Sequence, residues 1–177
     1  GLGADVEVRL HESYPVREFV VQFGETDLAF VSRLAEHVGI TFFWEQDEDA
    51  DRIVFTDNAS GFTSADGRRL RFRAHGDHCD VYRLVKRRTV VPSTFTVRDY
   101  NYRLPSVGIL GTYEIKGDAG GVDEFGANTK TPEEAATMSR VRAQETESRK
   151  LVYAGESDLP VIGAGGRYVI EEHPITG

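Results

Sequence analysis

The sequence has 177 residues, 40% of them hydrophobic, which is enough for one sizeable domain or two small ones with cores of their own. Lys and Arg total 21 against 29 for Asp and Glu, and the formal net charge of -8 argues against a general nucleic-acid binder and against attraction to anionic membranes. No stretch approaches the roughly 18 apolar residues of a membrane span, and the single Cys79 cannot form an internal disulfide. We therefore expect a soluble globular protein without stable membrane insertion.

Both ends of the sequence indicate a piece of a longer protein. The chain begins Gly1-Leu2-Gly3 without an initiator methionine, and it ends at Gly177 shortly after a predicted strand. No charged and then apolar signal peptide opens it. We expect an excised fragment.

The first 60 residues have the pattern of a small α+β module. Periodicity predicts strands at 6–10, 19–23, 40–45 and 52–56 and a helix at 26–38. Thr26 is a favourable residue before a first helical turn, and Gly39 is a favourable stop. The order strand, strand, helix, strand, strand predicts a short sheet with one helix packed on a face.

Residues 61–130 are predicted to combine long strands with irregular connections. The expected strands are at 70–73, 80–91 and 94–102. Residues 103–130 contain Pro105, many glycines and few apolar side chains, so we expect them to be irregular. Strands as long as the second and third suit a barrel-like β domain or a strand-exchange interface.

Residues 131–177 are predicted to hold a second helix and the closing strands of a barrel-like β domain. Thr131, Pro132 and Glu134 supply an N-cap, a first-turn proline and a capping-box partner for a helix that runs to residue 150. The apolar stripe of this helix is thin, so we expect it to lie on a surface or to await a partner. Short strands are expected at 151–153, 159–162 and 167–172.

One cluster, His75 to Asp80, holds the densest set of potential metal ligands. His75, His78 and Cys79 are residue types that bind zinc or copper, but their spacing matches no zinc signature, and a polar turn is the simpler interpretation. The chain also lacks the Gly-x-Ser-x-Gly elbow of many hydrolases. We therefore expect no enzyme activity, cofactor or metal, and keep a metal-binding or hydrolytic module around His75–Asp80 as an alternative.

Two segments resemble the Vgr spike proteins of bacterial type VI secretion systems. Residues 22–45 read QFGETDLAFVSRLAEHVGITFFWE, and they are similar to the family's Gln-aromatic, Glu-Ser/Thr-Asp, Phe-Val-x-Arg-Leu and Gly-Ile-aromatic sequence. Residues 99–105 read DYNYRLP, which is similar to a second segment of the family. The stretch after Tyr113-Glu114-Ile115 departs from the family, because glycines replace its usual proline.

The resemblance implies an α+β, phage tail-hub-like fold with barrel-like β domains and a small α+β module. It also implies a homotrimeric hub that contacts a tail-tube protein and possible effector or spike-tip proteins. Export from the bacterial cytoplasm by the type VI apparatus, without a cleaved signal peptide, follows from the same resemblance. A hub of a contractile phage or phage-like particle is the alternative. Large aromatic side chains are favoured interface anchors, so the predicted interface candidates are Trp44, Tyr100 and Tyr102.

Overall fold

The computed structural model describes residues 5–46, 51–76 and 80–174 as ten β-strands, two α-helices and a short 3-10 helix at Ala59–Gly61. The strands are β1 (Asp5–Arg9), β2 (Thr41–Gln46), β3 (Asp51–Thr56), β4 (Thr63–Arg71), β5 (Val81–Arg88), β6 (Thr94–Asp99), β7 (Ile109–Glu114), β8 (Gly121–Phe125), β9 (Leu151–Ser157) and β10 (Gly166–Glu171). The helices are α1 (Asp27–Val38) and α2 (Pro132–Ser148).

The chain divides into two compact units. The first comprises residues 1–84 and 155–177, and the second comprises residues 85–154. The division falls within β5 and β9, which pair with each other as a two-stranded sheet. The boundaries at residues 60 and 130 that we predicted from sequence stay a prediction.

A mixed three-stranded sheet organises the first unit. Its strand order is β1-β3-β2, with β1 parallel and β2 antiparallel to the central β3. Val54 of β3 is fully buried, and Phe43 of β2 is buried with its ring centroid 5.6 Å from that of Phe62. The predicted strands at 6–10, 40–45 and 52–56 are confirmed, each with its ends shifted by at most one residue.

Helix α1 follows the sequence prediction closely. The Thr26 hydroxyl accepts a hydrogen bond from the Ala29 N–H at 3.2 Å, and Gly39 ends the helix with φ 78°. Only glycine adopts this left-handed conformation without strain, which explains the stop. Ala35 is buried, whereas Leu28 and Val31 on the same helix stay exposed. The apolar stripe of α1 is therefore only partly covered.

Two of the strand predictions for the first unit are wrong. Residues 19–23 have no regular secondary structure and pair with no strand of the described chain, so their alternating pattern marks an exposed segment. Residues 159–162 form a turn, because the Tyr168 hydroxyl accepts from the Gly163 N–H at 2.8 Å and donates to the Val161 carbonyl at 3.0 Å. The strand predicted at 70–73 belongs to the longer β4, which pairs in parallel with β10.

In the second unit, α2 packs on one face of a three-stranded sheet. The strand order is β7-β6-β8, with β7 antiparallel and β8 parallel to β6. The core joins side chains from β6, β7, the segment before α2, and α2 itself: Val97, Ile109, Ala127, Ala135 and Met138. The thin apolar stripe of α2 thus packs on this sheet and its polar residues face outward, so of the two predicted alternatives the helix takes the first and lies on a surface.

The prediction that residues 103–130 are irregular is also wrong, because they contain β7 and β8. These strands have few apolar residues, and they exist because each pairs with β6 along five or six residues. The overall class, α+β, is confirmed. Within the described ranges each sheet is open, with two or three strands, and none closes into a barrel. Neither α1 nor α2 is long and apolar enough to cross a membrane.

The start of α2 provides a local stability test. The Thr131 hydroxyl accepts from the Glu134 N–H at 3.2 Å, and the Glu134 carboxylate accepts from the Lys130 N–H at 2.6 Å. Thr131→Ala is expected to lower the free energy of unfolding by about 1 kcal/mol, as loss of an N-cap does. Urea denaturation measures it, and Thr131→Ser, which keeps the hydroxyl, should lose much less. Equal losses in both variants would contradict the capping role.

Candidate assembly surfaces

The most distinctive sequence segment builds a hydrogen-bond network at the start of α1. The Gln22 side-chain amide donates to the Glu25 carbonyl at 3.1 Å and to the Asp27 carboxylate at 2.8 Å. The Arg33 guanidinium donates to both oxygens of Glu25, at 2.7 and 3.2 Å. This hydrogen bond from Arg33 lowers the pKa of Glu25 below its ordinary value. The polar residues of the segment therefore fix the chain's entry into α1.

The same segment leaves large apolar side chains in solvent. Phe19 and Phe23 precede α1 and are almost fully exposed, and Val16 is exposed as well. Leu28 and Val31 of α1 add further exposed apolar surface. Single exposed apolar residues are ordinary, but several of them within one short stretch of sequence make that stretch a candidate contact surface. Our sequence reasoning assigned Phe19 and Phe23 to a strand and Leu28 and Val31 to a covered helix face, and so missed this candidate surface.

A charge network ties together the edges of the first sheet. The Arg9 guanidinium donates to both carboxylate oxygens of Glu45, at 2.8 and 2.9 Å, to Glu7 at 2.8 Å, and to the Gly61 carbonyl at 3.0 Å. Arg52 also reaches Glu7, at 3.2 Å. The hydrogen bonds that Arg9 donates to Glu7 and Glu45 raise the pKa of Arg9 above its ordinary value. Both carboxylate oxygens of Glu45 are thus bound by Arg9, and the pair links β1 to β2.

Asp57 anchors the segment that follows β1. Its carboxylate accepts from the His11 N–H at 3.0 Å, the Glu12 N–H at 2.9 Å and the Tyr14 hydroxyl at 2.9 Å. Partial burial alone would raise the pKa of Asp57, but the hydrogen bonds from Glu12, His11 and Tyr14 outweigh it, and the pKa is lowered. This single carboxylate holds residues 11–14 against the end of β3.

The lowered pKa of Asp57 predicts a pH dependence of stability. The carboxylate stabilises the folded state above its ordinary pKa of 3.8, and this contribution is lost as the pH falls through the lower folded value. The difference in free energy of unfolding between the wild type and Asp57→Asn should therefore be constant near neutral pH and shrink below about pH 4. Urea denaturation across this pH range measures it. A difference that grows on acidification would contradict the assignment.

The DYNY segment splits into two inward and two outward residues. The Asp99 carboxylate accepts from the Thr129 N–H at 2.7 Å, and the Asn101 side chain donates to the Lys130 carbonyl at 2.9 Å. These bonds tie the end of β6 to the segment before α2. Tyr100 and Tyr102 lie between the anchors and are 61% and 75% exposed. The segment thus presents two aromatic side chains on a rigid support.

The predicted interface candidates fall in different units. Tyr100 and Tyr102 lie together in the second unit, whereas Trp44, on β2 of the first, is 46% exposed. Trp44 lies opposite Ile53 in the sheet and keeps almost half of its surface in solvent. All three are exposed enough to contact a partner, and their assignment as interface residues stays a prediction.

The sheet of the second unit has an open face opposite α2. In one row across the three strands, Arg98 lies between Leu110 and Phe125, and both apolar side chains are exposed. The Arg98 guanidinium donates to the Asp123 carboxylate at 2.9 Å, which neutralises the only cation in this row. The open face is therefore an apolar surface with a satisfied ion pair.

A further surface, of which the sequence shows the strands but not their pairing, is what we call the basic ribbon: Val85–Arg88 of β5 and Leu151–Ala154 of β9. All eight residues are exposed. Lys86 lies over the Tyr153 ring at 5.8 Å, and Arg88 pairs with Asp118 at 3.3 Å. The sequence showed the cations of Lys86-Arg87-Arg88 but not their partner strand, because that strand lies more than 60 residues away along the chain.

The metal-binding alternative at His75–Asp80 receives no support from the described part of the cluster. Residues 77–79, which include His78 and Cys79, lie outside the described residues. Asp80 is buried beside Arg73, whose Nε lies 3.3 Å from the carboxylate, and the Asp80 N–H donates to Asp158 at 2.8 Å. The described residues contain no group of three or more His, Cys, Asp and Glu side chains that would hold a metal ion.

A cleft of about 150 Å³ lies between β6, β8 and α2. Its floor is formed by Phe95 and Val97, and its rim by Arg142, Glu124 and Glu145. Arg142 lies 3.3 Å from Glu124 and 3.7 Å from Glu145, so the rim charges pair with one another. The lining contains no His, Cys or Ser. The cleft is a packing feature beside α2.

Comparison with protein families gives one match that covers the chain. The family model "Phage tail baseplate hub (GPD)" matches residues 2–177. Among curated proteins, the chain is 27% identical over 168 residues to the type VI secretion system spike protein VgrG5 of Pseudomonas aeruginosa. This alignment covers 91% of the chain and 21% of that relative. The chain thus spans about a fifth of the relative's length.

Two further curated relatives come from Vibrio cholerae. The chain is 24% identical over 166 residues to the type VI secretion system spike protein VgrG3, covering 89% of the chain and 16% of that protein. It is 25% identical over 166 residues to a protein named actin cross-linking toxin VgrG1, covering 89% of the chain and 15% of that protein. In each case the similarity lies in a small part of the relative.

Two solved structures share the fold. One is an Escherichia coli protein described as a component of the type VI secretion system with structural similarity to the bacteriophage T4 tail proteins gp27 and gp5. Its TM-score is 0.63 at 22% identity, covering 98% of the chain and 35% of that protein. The other is the 43 kDa tail protein of prophage MuSo2 from Shewanella oneidensis, with a TM-score of 0.58 at 24% identity, covering 85% of the chain and 44% of that protein. The predicted tail-hub-like fold is confirmed.

Proposed function

Because the chain belongs to the phage tail baseplate hub family, we propose that it is part of a structural hub that links a tail tube to a puncturing spike in a type VI secretion apparatus. The match of the hub family over residues 2–177 carries the proposal. The type VI setting is supported by the names of the curated relatives, which are spike proteins of that system. The chain's role is mechanical: it holds neighbouring subunits together while thrust passes through them.

The surfaces of the described residues support assembly over catalysis. The polar motif residues pair with each other, as Arg33 does with Glu25 and Asp99 with Thr129, and thereby fix the backbone. The exposed aromatic residues Tyr100, Tyr102 and Phe23 provide contact area with little loss of side-chain entropy. We propose that this region is non-catalytic and that any toxin activity of a relative belongs to parts of that relative outside the match.

The proposed partners follow from the hub role. They are further copies of the same protein in a homotrimer, a tail-tube protein, and effector or spike-tip proteins, with no role for nucleic acid. We place the protein in the bacterial cytoplasm before assembly and outside the cell after firing, exported by the type VI apparatus without cleavage of a signal peptide.

A phage or phage-like particle is the second candidate setting. The likeness to the MuSo2 tail protein supports it, because that TM-score of 0.58 is close to the 0.63 of the type VI component. The two settings share the same hub chemistry. They differ in the neighbouring genes, which would encode a type VI membrane complex in one case and capsid and tail-fibre proteins in the other.

The experiment that tests the hub role uses the full-length protein that contains this chain. Its solution mass is measured by sedimentation, and its binding to the tail-tube protein of the same gene cluster is measured by co-sedimentation. We expect a trimer that retains the tube protein. A strict monomer that leaves the tube protein in the supernatant would overturn the proposal.

A further inference from the structure

The basic ribbon is a two-stranded β surface on which all eight residues are exposed. β5 and β9 form a two-stranded sheet, and apart from a bridge between Val81 and Phe72 at the start of β5, outside the ribbon, their outer edges pair with no other strand of the described chain. Five of the ribbon's eight residues are apolar or aromatic: Val85, Leu151, Val152, Tyr153 and Ala154. A two-stranded sheet without a covered face is marginally stable in water. This exposure points to a partner that adds a strand or covers a face.

The positive charge of the ribbon indicates that its partner carries negative charge. Lys86, Arg87 and Arg88 project from β5, and only Arg88 has an ion pair within the described residues, with Asp118. The rest of the chain has more acidic than basic residues. The first unit holds 10 Lys and Arg against 20 Asp and Glu, whereas the second holds 11 against 9, so their net charges are -10 and +2. The ribbon is thus a cationic element of an anionic protein.

Strand β1 of the first unit offers the complementary surface. It is an edge strand of its sheet, and its outer side meets no other described strand. Its sequence alternates acidic and apolar residues, Asp5, Val6, Glu7 and Val8, and the two valines are 64% and 61% exposed. An exposed edge of this kind is a template for pairing with another strand.

We propose that β1 of one copy of this chain adds to the free edge of β5 in the basic ribbon of a second copy. Backbone hydrogen bonds join the two edges, as in other cases of strand addition. The valines of β1 cover the apolar residues of the ribbon, and Asp5 approaches the cations of β5. Pairing β1 with β1, or ribbon with ribbon, would instead set like charges side by side.

This contact is head to tail, because it joins different surfaces of the two copies. After the first contact one copy keeps a free ribbon and the other keeps a free β1, so the contact can repeat and close into a ring. The inference rests on the proposed hub function in one respect, since that function requires self-association. It goes further by assigning the two strands that meet.

A charge swap in the 177-residue chain tests the contact. Asp5→Lys sets lysine against the cations of the ribbon, and Arg87→Glu sets glutamate against the acids of β1. Each is expected to weaken self-association by about tenfold in sedimentation at low salt, because like charges replace opposite ones. The double variant restores an opposite pair in every contact and should associate within about threefold of the wild type.

Two controls keep the test specific. Arg167→Glu reverses an exposed cation on β10, outside both strands, and should leave self-association unchanged. The melting temperature of every variant is measured, because Asp5 lies opposite Arg52 in the β1–β3 pair. If Asp5→Lys does not fold, Asp5→Asn takes its place, and it should weaken association less than Arg87→Glu does.

The outcomes separate this contact from the hub role. Recovery in the double variant supports the strand pairing. Three results would each overturn it: single variants that associate like the wild type, a double variant that associates as weakly as the single variants, or a chain that is monomeric at every concentration. A trimer of the full-length protein would still support the hub role in any of these cases. If Arg87→Glu in the full-length protein abolishes binding of the tube protein but not self-association, the ribbon's partner is the tube protein and the inference is wrong.

Discussion

Gly111→Ala is expected to lower the free energy of unfolding by about 4 kcal/mol, enough to unfold a marginally stable domain. Gly111 lies on β7 where α2 crosses the sheet. A Cβ atom there would lie 2.2 Å from the carbonyl carbon of Ala135 and 2.3 Å from the Ala136 nitrogen. Both are backbone atoms of the helix, so no side-chain rotation relieves the clash. The helix would have to move away from the core that it covers.

Gly108→Ala provides the matched control for this prediction. Gly108 precedes β7 by one residue, and a Cβ atom there would meet nothing within 4 Å. Both substitutions reduce the flexibility of the unfolded chain in the same way, so their difference reports the clash with α2. Urea denaturation of the two variants measures that difference. Similar stabilities would show that α2 does not approach β7 as closely as the structure has it.

Both helices could be predicted from sequence because their signals are local. Thr26 and Gly39 bracket α1, and Thr131 with Glu134 begins α2, and each of these residues makes its expected contact within four positions along the chain. Capping depends on side chains that bond to nearby backbone groups. Such signals do not depend on what the rest of the chain does.

The strands that sequence reasoning missed or misplaced depend on distant partners. β8 is polar and begins with Gly121, and it is a strand because β6 offers it a pairing edge. Residues 19–23 have the better strand pattern, yet they find no partner in the described chain. Alternation of apolar residues shows that a segment suits a sheet, and it does not show that a neighbouring strand exists.

The candidate surfaces also differ in whether their sequence signals are local or depend on distant partners. The exposure of Tyr100 and Tyr102 agrees with the predicted alternation opposite Asp99 and Asn101, although β6 ends at Asp99 and the strand predicted at 94–102 is shorter than expected. The basic ribbon could not be predicted, because its two strands meet across more than 60 residues of intervening chain. For the same reason, the exposure of Val6 and Val8 was hidden until the position of β1 at the edge of its sheet was known.

A second large loss of stability is expected for a substitution at Gly165 in the first unit. This residue has φ 71°, which disfavours any side chain, and a Cβ atom there would lie 2.2 Å from the Phe43 ring. Phe43 is itself buried against Phe62, so its ring has little room to shift. Gly165→Ala is therefore expected to lower the free energy of unfolding by about 3 kcal/mol, from backbone strain and overpacking together.

A double-mutant cycle separates the two causes at Gly165. Gly163→Ala is the control, since a Cβ atom there meets nothing within 4 Å and its φ is not in the left-handed region. Phe43→Leu shortens the ring that the new methyl group would strike. If the clash dominates, Gly165→Ala should cost less in the Phe43→Leu background than in the wild type. If its cost is the same in both, the left-handed backbone alone explains why this position holds glycine, and the close packing of the 165 turn on β2 contributes nothing to stability.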